Sequence, residues 1–201
     1  MHNDLSLMVN AADPMAFARH ALAIGPENRY SNYSAYDHGL GKLILSKNRR
    51  APERVVELAQ KFAAMKTGRE VPHLIREADL KYLKISVGSE LATMMNPRAS
   101  WVTNSRSMWA NLLIKHGDNV QKASEELRLY KDGELDSEME YQKWAELHFE
   151  LDVTLTRLVE MSEPLARLVN VNLGPLKYLT ADAIADSLYV NFSGVGTGRS
   201  A

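Results

Sequence analysis

Leu83-Lys84-Ile85-Ser86-Val87-Gly88-Ser89-Glu90-Leu91-Ala92 is the stretch on which the fold turns. An apolar run with helical spacing enters it through Leu80 and Leu83, and a second leaves it through Leu91, Ala92 and Met95. Between the two runs stand the small residues Ser86, Val87, Gly88 and Ser89. Small residues at a corner between helices let the backbone approach a neighbour closely. Their N–H groups, at the start of the second helix, can receive an anion such as a phosphate. This reading predicts a helical hairpin with its turn at these four residues. The alternative is a plain corner in which Gly88 only ends a helix.

Helical signals continue on both sides. Asp13-Pro14 is a capped helix start, and Gly25-Pro26 a stop. Residues 36–48 read as one helix with Leu40, Leu43 and Ile44 as its apolar stripe, and Pro52 starts another with Val55, Leu58, Ala59 and Phe62 inward. Asn96-Pro97 ends the helix after the turn. Residues 105–115 and 120–130 form two more, and Asp132-Gly133 is a turn. The longest helix runs from a cap at Ser137 to Met161, with Met139, Trp144, Leu147, Leu151, Leu155 and Leu158 inward. Gly174-Pro175 opens the last one. Alternating β-branched runs do not occur, so the sequence predicts an all-α, multi-helix globular fold, one domain over residues 1–192 with room for two lobes. Residues 193–201 are rich in Gly and Ser and read as a flexible tail.

Composition narrows the chemistry. The chain of 201 residues has no cysteine, which excludes disulfides and thiolate metal sites and suits a reducing, cytoplasmic setting. Its six histidines are dispersed, without the His-x3-His spacing that puts two ligands on one helix face, so neither a metal nor another cofactor is expected. Asp182 and Asp186, at i and i+4, suit either a shared cation or a solvated face. Residues 1–12 lack the pattern of a signal peptide, and no apolar run nears the ~18 residues of a membrane span.

The net charge of −1 hides a polarity. Residues 1–117 hold 16 Lys and Arg against 10 Asp and Glu, and residues 118–201 hold 8 against 15. Basic residues gather near helix junctions: Lys47, Arg49 and Arg50 at one, Lys81 and Lys84 before the small-residue turn, Arg98 and Arg106 around Trp101. Cations beside exposed turn amides are the usual means of holding a DNA backbone. The DNA contacts expected are therefore Lys47, Arg49, Arg50, Lys84 and Arg106, with the turn Ser86, Val87, Gly88 and Ser89.

Three segments together resemble the helix-hairpin-helix DNA glycosylase superfamily, the group of endonuclease III and 8-oxoguanine DNA glycosylase. Leu43-Ile44-Leu45-Ser46-Lys47-Asn48, with Val55-Val56 and Phe62 after it, looks like an early I-L-S helix and its successor. Ser86-Val87-Gly88-Ser89-Glu90-Leu91-Ala92 is similar to the hairpin G-V-G-x-K-T-A. Trp101-Val102-Thr103-Asn104-Ser105-Arg106 falls where the family has V-D-T-H, with its catalytic aspartate. The three stand in the family's order, within residues 36–117. The resemblance implies DNA binding and base flipping, with cleavage of an N-glycosidic bond in active members. It assigns the catalytic positions to Glu90 and Asn104, with Glu90 or Asp118 in place of the missing acid. It assigns stacking on a flipped base to Trp101, with Trp109, Tyr141 and Trp144 as alternatives and core packing as the other reading of the tryptophans.

The departures are chemical. Ser86 replaces the hairpin's first glycine, Glu90 replaces the lysine that would form a Schiff base, and Asn104 is the nearest match to the aspartate. Whether the chain is an enzyme stays open on these residues. The rival expectation is a helical interaction or regulatory module without DNA chemistry, presenting the acidic face Glu138, Glu146 and Glu150 and an exposed apolar patch.

Overall fold

Asp13 opens α1 (Pro14–Ala21) by accepting the Ala16 N–H at 3.0 Å, while Pro14 fills a position whose amide needs no partner. The computed structural model describes residue 9 and residues 13–25, 33–130 and 138–193. Among these the regular structure is all helical, as expected, and no helix is long and apolar enough to cross a membrane.

After α1 come α2 (Ser34–Asp37), α3 (Leu40–Lys47), α4 (Ala51–Ala64), a 3-10 turn (Gly68–Glu70), α5 (Val71–Ala78) and α6 (Ile85–Met95). Then follow α7 (Ser105–Lys115), α8 (Val120–Leu129), α9 (Glu138–Leu168) and α10 (Lys177–Phe192). The single helix expected over residues 36–48 is two, because Gly39 turns left-handed at φ 62° and separates α2 from α3. α9 outruns its expected end by seven residues. Pro164 deprives only the Glu160 carbonyl of its helical partner, and the helix continues to Leu168. The expected cap Ser137, the turn Asp132-Gly133, the side chain of Met139 and residues 194–201 lie outside the described residues.

Two apolar clusters form the core. Phe17, Ile44, Phe62, Leu83, Ile85 and Leu91 belong to the first, built from α1 to α6. Trp101, Met108, Trp109, Leu151, Leu155 and Ala185 belong to the second, built from α7 to α10. α9 joins them: Tyr141 lies in the first, Leu151, Leu155 and Leu158 in the second, and Trp144 packs on both.

The main correction concerns the small-residue turn. Lys84 is the N-cap of α6, so Ser86, Val87, Gly88 and Ser89 are its first helical turns rather than a corner. The Gly88 N–H donates to the Lys84 carbonyl at 2.8 Å and is spent inside the helix. The chain reverses earlier, over residues 79–84, where Asp79 and Tyr82 take left-handed φ values of 46° and 68°. Gly88 has a packing role: a Cβ there would overlap the Ile75 side chain, so glycine lets α6 press onto α5. Glycine's weak helix propensity suggested a break, and that contact overrides it.

Candidate functional site

Glu90 lies halfway along α6 and is 5% exposed. Its carboxyl accepts the Ser34 N–H at 3.1 and 3.0 Å, the Ser34 hydroxyl at 2.8 Å and the Asn104 side-chain amide at 3.1 Å. Ser34 begins α2, and Asn104 is the N-cap of α7. The Asn104 Oδ1 accepts the N–H groups of Arg106 and Ser107 at 3.0 and 3.2 Å, which leaves its NH2 aimed at Glu90. The two positions that the resemblance assigns to catalysis, 14 residues apart in sequence, therefore touch.

Burial pushes the Glu90 carboxyl up from 4.5 to about 7. The hydrogen bonds from Asn104 and Ser34 oppose that shift, and the charge of Asp182 adds to it. Asp182, on α10, is itself raised from 3.8 to about 6, first by burial and then by Asp186, while Arg106 opposes. Asp182 and Asp186 are thus no solvated face; they turn toward Glu90 and Arg106. The Arg106 Nε sits 2.9 Å from Asp186, and its guanidinium reaches Asp37 at 3.5 Å. Glu90 and Asn104 are buried side by side, and Arg106 stands near them among Asp37, Asp182 and Asp186.

The departures at residues 90 and 104 make sense as a pair. A carboxylate at residue 104 would stand about 3 Å from Glu90, where two like charges cannot both ionise cheaply. An amide caps α7 equally well and donates to Glu90 instead.

The expected basic set divides. Lys47, Arg49 and Arg50 are exposed at the α3–α4 junction. Asn48 ties that junction to the 79–84 turn: its amide donates to the Lys81 carbonyl at 3.0 Å, and its Oδ1 accepts the Lys81 N–H at 2.9 Å. Exposed Lys81 thereby joins the group. Lys84 is half-buried with its ammonium 5.9 Å from the Tyr141 ring centroid. Arg106 does not join the basic group, because Asp186 and Asp37 hold it. Ser86, Val87, Gly88 and Ser89 offer no exposed turn.

Trp101 is not placed for stacking on a base. It is buried, one face lies on His148 at 4.7 Å with the planes 15° apart, and Tyr178 packs at 5.3 Å. Its indole N–H donates to the His148 carbonyl at 2.8 Å. His148 is also buried. Its Nε2 lies 2.8 Å from the Gly68 carbonyl, which can only accept, so Nε2 carries the proton. Nδ1 then accepts the Thr103 hydroxyl at 2.5 Å. Burial lowers this imidazole from 6.5 to about 4.

One cleft adjoins these elements. Ala35 and Tyr36, which follow Ser34, line a space of about 570 Å³ with Leu22, Gly39 and, at its margin, Arg19 and Lys42. Among the described residues no group of three or more His, Asp or Glu side chains is arranged to hold a metal ion. Sequence reasoning missed the roles of Ser34 and Asp182. A signal for Asp182 existed: it follows Ala181 and precedes Ala185, both on the buried side of α10. Comparison with family models, curated proteins and solved structures finds no match to this chain.

Proposed function

We propose that this chain is a DNA-binding, glycosylase-like protein that recognises or excises damaged or modified bases turned out of the duplex. The meeting of Glu90 and Asn104 carries this reading. Two residues singled out by motif order stand at 3.1 Å, with the carboxyl held near 7. A carboxyl that titrates near neutrality suits general acid–base work. Glu90 is assigned the proton-accepting and charge-stabilising role. It would take a proton from water as the water oxygen bonds the sugar carbon, while the departing base keeps the electrons of the N-glycosidic bond and then receives that proton from Glu90 by way of solvent. Asn104 positions Glu90. Glu90 is buried, so the reading requires the Arg106 side to open, with that arginine leaving Asp37 at 3.5 Å and Asp186 at 2.9 Å. The exposed group Lys47, Arg49, Arg50 and Lys81 supplies cations for phosphates. The neighbouring cleft, with Arg19 and Lys42 at its margin, has the size of a small-ligand pocket.

The test is binding to a duplex carrying an abasic-site analogue against an intact duplex, each at two salt concentrations. The reading expects tighter, salt-sensitive binding to the analogue, and base excision lost in Glu90→Gln. Absence of binding at low salt overturns it.

A second reading, a helical interaction module without DNA chemistry, is favoured by one observation: Met161, Leu165, Leu168 and Val169 are all more than half exposed.

A further inference from the structure

The cleft beside α2 forms where the end of α1 meets the start of α3. A Cβ at Gly41 would overlap the Leu22 carbonyl oxygen, so glycine lets α3 close on α1. Leu22, Ile24 and Ala35 give the cleft its apolar lining, with the half-buried Tyr36 beside them. Arg19 and Lys42 line it too. Both are exposed, and neither has a hydrogen-bond or ion-pair partner among the described residues. No described lining residue is acidic. The carbonyls at the end of α1, which would repel an anion, are taken: those of Ala18, His20 and Arg19 accept the N–H groups of Leu22, Ala23 and Ile24 at 2.9, 3.2 and 2.7 Å. The first turn of α3 meets the cleft through Gly41 and Lys42, and it carries neither a side-chain cap nor an acidic residue. A cleft that gathers two unpaired cations and holds no carboxylate favours an anion.

We propose that this cleft binds a small phosphate monoester, its phosphate held by Arg19 and Lys42 and a flat apolar group lodged against Leu22, Ile24 and Tyr36. Charge selects the head of the ligand. A phosphate monoester carries about −1.5 to −2 at pH 7, which two cations match, whereas a carboxylate or a phosphodiester carries a single charge. The apolar lining selects the body. Inorganic phosphate would leave that lining bare, and a space of about 570 Å³ lies within the range of small-ligand pockets. The cleft keeps this chemistry whether or not the chain binds DNA, because Arg19 and Lys42 are not among the cations assigned to duplex phosphates.

Calorimetric titration with adenosine monophosphate, adenosine and inorganic phosphate, without DNA, tests the site. The monophosphate should bind with a Kd below about 1 mM, about tenfold tighter than adenosine or phosphate alone. Arg19→Ala and Lys42→Ala should each weaken it about fivefold. Lys66→Ala, which removes an exposed lysine outside the cleft, should leave it unchanged. All three side chains are exposed, so the variants keep the fold, which circular dichroism checks. Absence of binding by about 1 mM, or adenosine bound as tightly as its monophosphate, overturns the proposal. Phosphate bound as tightly as the monophosphate makes this a site for the ion alone and overturns the apolar half. Equal weakening by Lys66→Ala reduces the attraction to net charge and overturns the site. An intact duplex supplies phosphodiesters for a final arm. If the Arg19 and Lys42 variants lose duplex binding but keep the monophosphate, those cations serve a DNA backbone and the free ligand is overturned.

Discussion

Two buried titratable groups, Glu90 and His148, sit in contrasting surroundings. His148 has both ring nitrogens matched by fixed partners and an aromatic face against it, so its neutral form is the only one its site accepts. Glu90 has donors that favour its charged form, set in a place whose burial and acidic neighbour favour the neutral one. The first site is built to hold one state. The second is balanced between two, and a balance near neutral pH is what proton transfer requires. The contrast separates a buried group held in one protonation state from one poised between two.

The largest effect tests the structural side. His148→Ala leaves the Thr103 hydroxyl buried without its partner, takes from the Gly68 carbonyl one of its two donors and opens a cavity beside Trp101, so chemical denaturation should show a loss of about 4 kcal/mol. A loss below 1 kcal/mol would mean the two sites do not differ as described.

The pH dependence of the two centres has opposite signs. His148 binds its proton more weakly folded than unfolded, so its contribution is full above 6.5 and is lost as pH falls toward 4, by about 3 kcal/mol. Glu90 binds its proton more tightly folded, so its contribution is full below 4.5 and is lost as pH rises toward 7, by a similar amount. Denaturation midpoints from pH 4 to 8 should show the falling limb flattened in Glu90→Gln, and that variant should gain about 2 kcal/mol at pH 8. A limb unchanged by this substitution removes Glu90 as its source.

Asn104→Asp sharpens the same point. It keeps the α7 cap but adds a carboxyl beside Glu90, and should cost about 1 to 2 kcal/mol at pH 8 and little at pH 5. Equal cost at both pH values would make the effect one of capping rather than charge. The smallest stability effect belongs to the surface. Lys47→Ala, Arg49→Ala and Arg50→Ala combined should change stability by under about 1 kcal/mol while lowering the salt slope of DNA binding by about 3. Unchanged DNA affinity would remove the basic junction from the interface.

Much of the fold was legible because its signals are local. The Asp13 cap, the span of α7, and the inward leucines of α9 follow from side-chain chemistry within a few residues. The reading failed where a distant residue decides. Gly88 is helical because Ile75 presses on it, Trp101 is buried because His148 covers it, and Arg106 is neutralised by Asp37 and Asp186 from α2 and α10. The resemblance named Glu90 and Asn104 separately, and their contact across 14 residues had no local signal. Ser34, 56 residues away, left no local trace of its role.

Titration of the Glu90 side chain by carboxyl carbon NMR, free and with an abasic-analogue duplex, tests the central claim most directly. The account predicts a midpoint near 7 in the free protein, moved upward when the duplex brings its phosphates to the site. A midpoint near 4.5 that the duplex leaves unmoved would contradict it.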